Sequence, residues 1–129
     1  MDETYRANYA LLPVLEHLGP AADSLDVEWA EFVGNRSSGH EFTVSAADAK
    51  DAYVELQAYD VGEFGHEIVL DGEPLPGFDL PPGDGWQYWM DSIGDRELAG
   101  THTLHVRRDT TGEDAFAVGN VVVNWREPV

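Results

Sequence analysis

Apolar and polar residues alternate with a period of two over most of the chain from residue 40 onward. The segment HEFTVS (residues 40–45) places Phe42 and Val44 on one side, and AYVELQAYD (residues 52–60) alternates aliphatic residues with polar and aromatic ones. This period is typical of β-strands, in which successive side chains point to opposite faces of the sheet. Because a shift by one residue would turn every apolar side chain to solvent, the pattern also specifies how the strands pair.

Turn-forming residues separate these alternating runs. The run HEIVL (residues 66–70) is followed by Asp71 and Gly72, and this dipeptide is the signature of a type I′ hairpin, in which both turn residues need positive φ. The returning arm EPLPGF (residues 73–78) contains two prolines, which cannot donate ladder hydrogen bonds. We therefore predict that this arm forms only a short edge strand.

Three more strands are predicted toward the C-terminus, in WQYWMDSI (residues 86–93), THTLHVRR (residues 101–108) and AFAVGNVVVNW (residues 115–125). The last run is long for one strand, and Gly119 within it predicts a bulge or a bend. Six or seven strands cannot hide their apolar sides in a single sheet. The predicted fold class is therefore all-β, as one antiparallel β-sandwich domain that covers residues 1–129.

The first 38 residues are the part of the domain that the pattern determines least. The run ANYALLPVLEHLG (residues 7–19) has the apolar spacing of a helix, but Pro13 would cost about 3 kcal/mol inside one. An edge strand, in which Pro13 occupies a position without a ladder hydrogen bond, is therefore favoured. The run EWAEFVG (residues 28–34) fits either one helical turn that ends at Gly34 or another strand.

The charge of the chain is its most unusual property. It has 25 acidic against 7 basic residues and a formal net charge of −18, and the acidic residues are scattered from Asp2 to Glu127. Such self-repulsion destabilises a compact protein at low salt, whereas at 1 M salt the screening length falls to about 3 Å. We therefore predict a halophilic protein of a high-salt cytoplasm. A surface that mimics DNA or captures basic partners is the less favoured alternative, because the acids form no block.

Several kinds of partner and site are disfavoured by what the sequence lacks. There is no cysteine, so disulfides and thiolate metal sites are excluded, and no basic patch exists that could neutralise nucleic-acid phosphates. No run approaches the ~18 apolar residues of a membrane span, and the first residues lack the basic segment of a secretory signal. We therefore expect neither nucleic-acid nor membrane binding, and a protein that is not exported.

No catalytic motif stands out in the sequence. The histidines lack H-E-x-x-H spacing, no serine lies in a G-x-S-x-G context, and the glycine-containing run PPGDGW has no P-loop lysine. Pairs of carboxylates, which glycosidases use, arise in this chain from its composition and carry little information. A small hydrolase with paired carboxylates is therefore only the second alternative to a binding function.

A cluster of aromatic residues follows the Pro/Gly-rich loop at residues 77–86. In a strand, residues 86, 88 and 90 share one face and residues 87, 89 and 91 share the other, so an aromatic side chain faces solvent whichever set is buried. The candidate ligand-binding residues are Tyr53, Tyr59, Trp86, Tyr88, Trp89 and Asp91. The alternative is that the tryptophans fill a second layer of the core.

The segments HEFTV, DAYVELQAYDV, HEIVLDGEPL, GTHTLHVRR and EDAFAVGNVVVNW together resemble the jelly-roll sandwich of galactose-binding-like and carbohydrate-binding modules. Over nearly its whole length, and especially at VEWAEFVGNR and GWQYWMDSI, the chain also resembles a family of uncharacterised haloarchaeal proteins. The first resemblance implies a jelly-roll fold and, because such modules often carry one, a structural Ca²⁺. The candidate ligands are Asp109, Glu113 and Asp114 in one loop and Asp23 and Asp26 in another, and oxygen ligands of this kind suit calcium. We expect no other cofactor.

The sequence therefore predicts a non-catalytic binding or protein-interaction module. Its contacts would come from the aromatic strand face or from the loops at residues 77–86 and 109–114. Two versions stay open: a protein partner or a second copy of the chain, and a carbohydrate held by exposed aromatic side chains. The missing export signal slightly favours the protein partner, because carbohydrate-binding modules usually act outside the cell.

Overall fold

The computed structural model describes residues 4–76, 80–94 and 96–129. Within these ranges the chain contains nine strands and no helix. In chain order the strands are β1 (Tyr5–Leu18), β2 (Glu31–Gly34), β3 (His40–Val44), β4 (Lys50–Val61), β5 (Glu67–Leu70), β6 (Glu73–Pro74), β7 (Gly83–Ser92), β8 (Gly100–Arg107) and β9 (Phe116–Pro128). The predicted all-β class is confirmed, and the described residues include no helix with the length and apolar character needed to cross a lipid bilayer.

The strands form two sheets with a common core between them. One sheet has five strands in the order β2-β1-β9-β4-β7, and the other has four in the order β3-β8-β5-β6. The pairs are antiparallel except for β1 with β2, which run parallel. Side chains from both sheets meet in the core, where Leu18, Leu56, Ile68, Leu104 and Phe116 are fully buried. The predicted antiparallel sandwich is therefore confirmed.

The alternation along β4 determines which side of the five-stranded sheet is buried. Val54 and Leu56 are inaccessible to solvent, and they lie opposite Val123 and Val121 of β9, which are equally buried. The residues between them on β4 point to the other side of the sheet. Because side chains alternate strictly along a strand, this register assigns a core side and an outer side to each neighbouring strand.

The Asp71-Gly72 hairpin has the predicted geometry. Both residues have positive φ, 52° for Asp71 and 85° for Gly72, as a type I′ turn requires. The returning strand β6 comprises only two residues and lies at the edge of the four-stranded sheet, as its prolines predicted. Residues 77 and 78 of that arm lie outside the described residues.

The N-terminal run is a strand, and Pro13 lies within it. β1 is not an edge strand as expected, because β2 pairs with it on the side away from β9. However, β2 reaches only residues 16–18 of β1, so the edge beside Pro13 is open and the missing N–H breaks no ladder there. A register shift follows Pro13, where Leu15 has a positive φ of 47°. The run at residues 28–34 likewise contains a strand, β2, which ends at Gly34.

A bulge interrupts β9 at Gly119, as the length of that run predicted. Leu56 of β4 lies opposite Val121, but Ala58 lies opposite Val118, so β9 contains one more residue than β4 over this interval. The bulge lies beside the part of the sheet that carries the aromatic side chains.

Candidate ligand-binding face

The side of the five-stranded sheet that points away from the core is an uncovered surface, which we call the outer face. We define it by the outward positions of four strands: Ala7, Tyr9 and Leu11 of β1; Val122, Asn124 and Arg126 of β9; Tyr53, Glu55, Gln57 and Tyr59 of β4; and Trp86, Tyr88, Met90 and Ser92 of β7. Cross-strand pairs such as Tyr59 with Trp86 bring side chains from adjacent strands into contact range. The outer face is therefore one continuous surface.

Large apolar side chains on the outer face are open to solvent. Trp86, Tyr88 and Met90 on the edge strand β7 are 53%, 54% and 56% exposed, and Tyr9 and Leu11 on β1 are also exposed. Single exposed apolar residues are ordinary, but a contiguous group of this kind marks an interaction or ligand-binding surface. The exposure therefore identifies the outer face as the best candidate site in the described part of the chain.

Three aromatic side chains meet at one end of the outer face, and we call them the aromatic cluster: Trp29, Tyr59 and Trp86. The ring centroids of Trp29 and Trp86 are 5.1 Å apart at 32°, and Tyr59 meets both rings in edge-to-face contacts at 5.5 and 5.3 Å. These are favourable separations for aromatic pairs. Trp29 belongs to the connection between β1 and β2, and it was not among the predicted site residues because no periodic pattern includes it.

Two amide side chains lie between the aromatic residues and are held in defined orientations. The Gln57 Oε1 atom accepts a hydrogen bond from the backbone N–H of Asn120 at 3.1 Å, and the Asn124 amide donates to a Glu55 carboxylate oxygen. These contacts use the carbonyl end of Gln57 and the NH₂ end of Asn124. The opposite ends, an NH₂ group and a carbonyl oxygen, have no partner among the described residues and can bond a ligand.

The outer face carries few acidic side chains although the chain is strongly acidic. Among the positions that define the face, Glu55 is the one carboxylate, and it already accepts the Asn124 hydrogen bond. At the end of the face near the chain termini, Arg126 lies opposite Lys50 of β4, and both cations lie over the Tyr5 ring. The aromatic and amide positions between them and Trp86 thus carry a single charge, in a chain with 25 acidic residues.

The structure divides the predicted ligand-binding residues into two groups. Tyr53 and Tyr59 share the outer face with Trp86 and Tyr88, but Trp89 and Asp91 are on the opposite side of β7. Trp89 lies opposite the buried Leu56, so it points toward the core side, and it remains 39% exposed because β7 is an edge strand. The core alternative holds for Trp125, which is buried, and not for Trp86.

The loop predicted to hold calcium is organised by a histidine. His66 is buried, and its Nδ1 accepts the backbone N–H of Asp109 at 3.0 Å, so the ring carries its proton on Nε2 and donates to Asp114 at 2.7 Å. Asp114 also accepts the backbone N–H groups of Gly62 and Glu63. Both of its oxygens therefore have partners within the chain.

Asp109, Glu113 and Asp114 do not converge on a common point in the structure. Among the described residues there is no group of three or more histidine, aspartate and glutamate side chains placed to hold a metal ion. The Asp109 carboxylate instead accepts the backbone N–H and the hydroxyl of Thr111, and these hydrogen bonds lower its pKa. Structural calcium stays a prediction from the resemblance, without support from this geometry.

The carboxyl groups give little basis for hydrolysis. A glycosidase needs one carboxyl whose pKa is raised, so that it can donate a proton. Asp109 has a lowered pKa, and so has Glu127, where the indole N–H of Trp125 is the main cause and Arg6 and Asn8 add further hydrogen bonds. These groups hold the fold together rather than forming an acid–base pair.

Comparisons with known proteins define the family and the fold. The model of a family of unknown function (DUF7383) matches residues 6–127, and no curated protein matches the sequence. The CBM36-1 domain of a multidomain xylanase from the hindgut metagenome of Trinervitermes trinervoides is similar in structure, with a TM-score of 0.62 and 9% identity, over 90% of this chain and 96% of that domain. This likeness confirms the jelly-roll type of the sandwich.

Dimeric latent PorU from Porphyromonas gingivalis contains a region of similar fold. The TM-score is 0.60 with 10% identity, and the match covers 96% of this chain but only 13% of PorU. At such identities the likeness concerns the fold alone. The predicted archaeal and halophilic origin is not tested by these comparisons.

Proposed function

Because the chain belongs to DUF7383, a family of unknown function, we propose its role from its geometry: it is a non-catalytic module that binds a neutral carbohydrate chain on the outer face. The observation that carries the proposal is the row of exposed aromatic side chains with amides between them, on a face that carries few acidic side chains. This combination separates the outer face from every other described surface of the sandwich.

Aromatic and amide groups together match the chemistry of a sugar ring. A pyranose has apolar C–H faces, which stack on exposed rings such as Trp86 and Tyr88, and hydroxyl groups around its rim, which bond to amides. Gln57 lies opposite Tyr88 in the β4–β7 register, so an amide and a ring are direct neighbours. From Trp86 to Ser92 the face extends about 20 Å along β7, at roughly 3.3 Å per residue, which suits an extended oligosaccharide.

The charge distribution favours a neutral ligand over a protein. A second copy of the chain would bring another net charge of −18 to the interface, and that repulsion opposes self-association. A basic protein would be recognised by carboxylates, which on the outer face are represented only by Glu55. A neutral polysaccharide meets neither difficulty, which supports placing it ahead of the protein partner that the sequence slightly favoured.

The experiment measures binding of neutral polysaccharides to the wild-type protein in 2 M KCl. Xylan is the first probe, because a xylanase domain has the same fold, and mannan and β-glucan follow. We expect Trp86→Ala and Tyr88→Ala each to weaken binding more than tenfold, as truncation of a central aromatic contact does in other interfaces. Tyr88→Ala should change thermal unfolding little, because the side chain is exposed, whereas Trp86→Ala also removes ring contacts with Trp29 and Tyr59 and should lower stability by about 1 kcal/mol.

Phe64→Ala is the matched control. Phe64 is equally exposed, but it lies in the connection between β4 and β5, outside the outer face, so its removal should leave binding unchanged. The carbohydrate proposal is wrong if no neutral polysaccharide binds and sedimentation shows an oligomer that dissociates in the Trp86→Ala variant. In that case the outer face is a protein contact.

A further inference from the structure

The backbone conformation of residue 119, in the bulge of β9, does not require glycine. Glycine at a β-bulge usually supplies a left-handed φ that other residues avoid. The glycines of the described chain with positive φ are Gly34, Gly65, Gly72, Gly85, Gly94 and Gly100, and Gly119 is not one of them. Any residue could adopt this backbone, so the reason for glycine must lie in the space above it.

That space is filled by the indole of Trp86. A Cβ atom at position 119 would lie 3.0 Å from Cζ3 and 3.2 Å from Cη2 of Trp86, and 3.0 Å from Oε1 of Gln57. Carbon atoms in ordinary contact are about 3.5–4.0 Å apart, so a side chain at this position would displace the ring. Gly119 is itself buried, in agreement with the ring lying over it.

The contact shows how the indole is oriented. Trp86 belongs to β7 and Gly119 to β9, with β4 between them, and neighbouring strands are about 4.8 Å apart. A side chain that crosses the intervening strand must lie along the sheet. The indole therefore reaches across β4, with its Cζ3 and Cη2 atoms over Gly119. Trp29 packs against the same indole, with ring centroids 5.1 Å apart at 32°, and the indole is still 53% exposed.

We propose that Gly119 is a positioning residue: by having no side chain, it lets the Trp86 indole reach across β4 and lie over β9, where the exposed indole serves as a stacking surface for a sugar ring. This inference rests on the proposed carbohydrate-binding function. It assigns to a bulge glycine a role in ligand binding that acts entirely through Trp86.

Gly119→Ala and Gly119→Val test the inference in a double-mutant cycle with Trp86→Ala. Valine ordinarily strengthens a strand relative to glycine, so a harmful effect cannot come from strand propensity. We expect Gly119→Val to weaken xylan binding about tenfold and to change the near-ultraviolet circular dichroism of the coupled Trp29–Trp86 pair. Gly119→Ala should show the same changes to a smaller extent, because its single methyl needs a shift of only a few tenths of an ångström.

In the wild-type background, Gly119→Val should also lower the free energy of unfolding, because the valine and the indole compete for the same space. In the Trp86→Ala background, it should have no further effect on binding and should lower stability less. If the valine lowers stability equally in both backgrounds, the glycine serves the bulge and not the ring, and the inference is wrong. If the harmful effect disappears with Gln57→Ala instead, the contact that matters is with the amide, which also overturns it. The circular dichroism and unfolding measurements need no ligand. They can therefore show that the inference about Gly119 is wrong independently of whether the carbohydrate proposal is right.

Discussion

The outer surfaces of the two sheets differ in how far their side chains form hydrogen bonds with one another. On the four-stranded sheet, the hydroxyls of Thr43 and Thr101 bond each other at 3.0 Å, and Arg107 donates to Glu67 at 2.6 Å. On the outer face of the five-stranded sheet, Tyr59 and Trp86 contact each other and Trp29, and no hydrogen bond from an indole or phenol group of the face is found within the described residues. One surface is held by hydrogen bonds between its own side chains, whereas the other is dominated by exposed rings.

In the turns around the four-stranded sheet, polar side chains likewise form hydrogen bonds within the chain. His66 at the start of β5 bonds Asp114, and His102 of β8 donates to Asp71 of the hairpin at 2.6 Å and to the Leu98 carbonyl at 2.7 Å. Polar groups in this region therefore stabilise the fold through each other. Ligand binding and stability should therefore be separable by mutation, since the proposed binding face and these hydrogen-bonded turns are different parts of the sandwich.

The largest effect is expected from removal of salt. We predict that the domain unfolds as KCl falls below about 0.5 M, because weaker screening exposes the self-repulsion of a chain with net charge −18. Circular dichroism across a KCl series measures this. Xylan affinity between 1 and 3 M KCl should change little, because the aromatic and amide positions of the outer face carry a single charge. Stability that is independent of salt would remove the halophilic prediction.

The next largest effect is expected from Asp114→Ala, which should lower stability and leave xylan affinity unchanged. The substitution leaves the N–H groups of Gly62, Glu63 and His66 without their acceptor, and we expect the free energy of unfolding to fall by about 3 kcal/mol. Denaturant unfolding in 2 M KCl measures the loss. Glu113→Ala is the control, because its exposed carboxylate has no such role. Loss of xylan affinity in the folded Asp114→Ala protein would contradict the separation of the two regions.

A smaller effect is expected from the titration of His102. Burial alone would lower its pKa, but the hydrogen bonds to Asp71 and to the Leu98 carbonyl outweigh burial, and the pKa is raised above 6.5. Both ring nitrogens donate, which only the imidazolium form can do. The stabilisation is therefore complete below pH 6.5 and lost as the pH rises through the folded-state pKa, by about 1 kcal/mol.

Unfolding measured from pH 5 to 9 checks the sign of this dependence. His102→Gln should abolish the loss of stability on the alkaline side. His105 of the same strand is the control, because burial and the nearby Arg36 and Arg107 lower its pKa, so His105→Gln can affect only the acid side. An unchanged alkaline slope in His102→Gln would show that another group is responsible. Xylan affinity should not follow the His102 titration.

Much of the fold could be predicted from local patterns. The alternation around Val54 and Leu56 was enough to assign β4, and Asp71-Gly72 was enough to place a hairpin, because each depends on nearby residues alone. Pro13 was harder, because its tolerance depends on β2 pairing with only the last residues of β1. That information is absent from the run itself.

The candidate site was predicted only in part. Period two correctly separated Trp86 and Tyr88 from Trp89, but it could not show which set lies on the open side of the sheet. Trp29 had no pattern at all, since it reaches the aromatic cluster from a loop. Gly119 was recognised as a bulge, whereas its contact with Trp86 needs atomic distances between strands that are not adjacent.

Local pattern and composition were sufficient to predict the strands from residue 40 onward, the hairpin and the acidic character, because these depend on residues a few positions apart or on residue counts alone. The tertiary structure alone decided which side of each strand is covered and which aromatic side chains meet. Alternation along a strand defines two sides, but it does not show which of them is covered by other elements and which is open to solvent. The choice between them is made by pairing between distant segments, such as β1 with β9 at opposite ends of the chain.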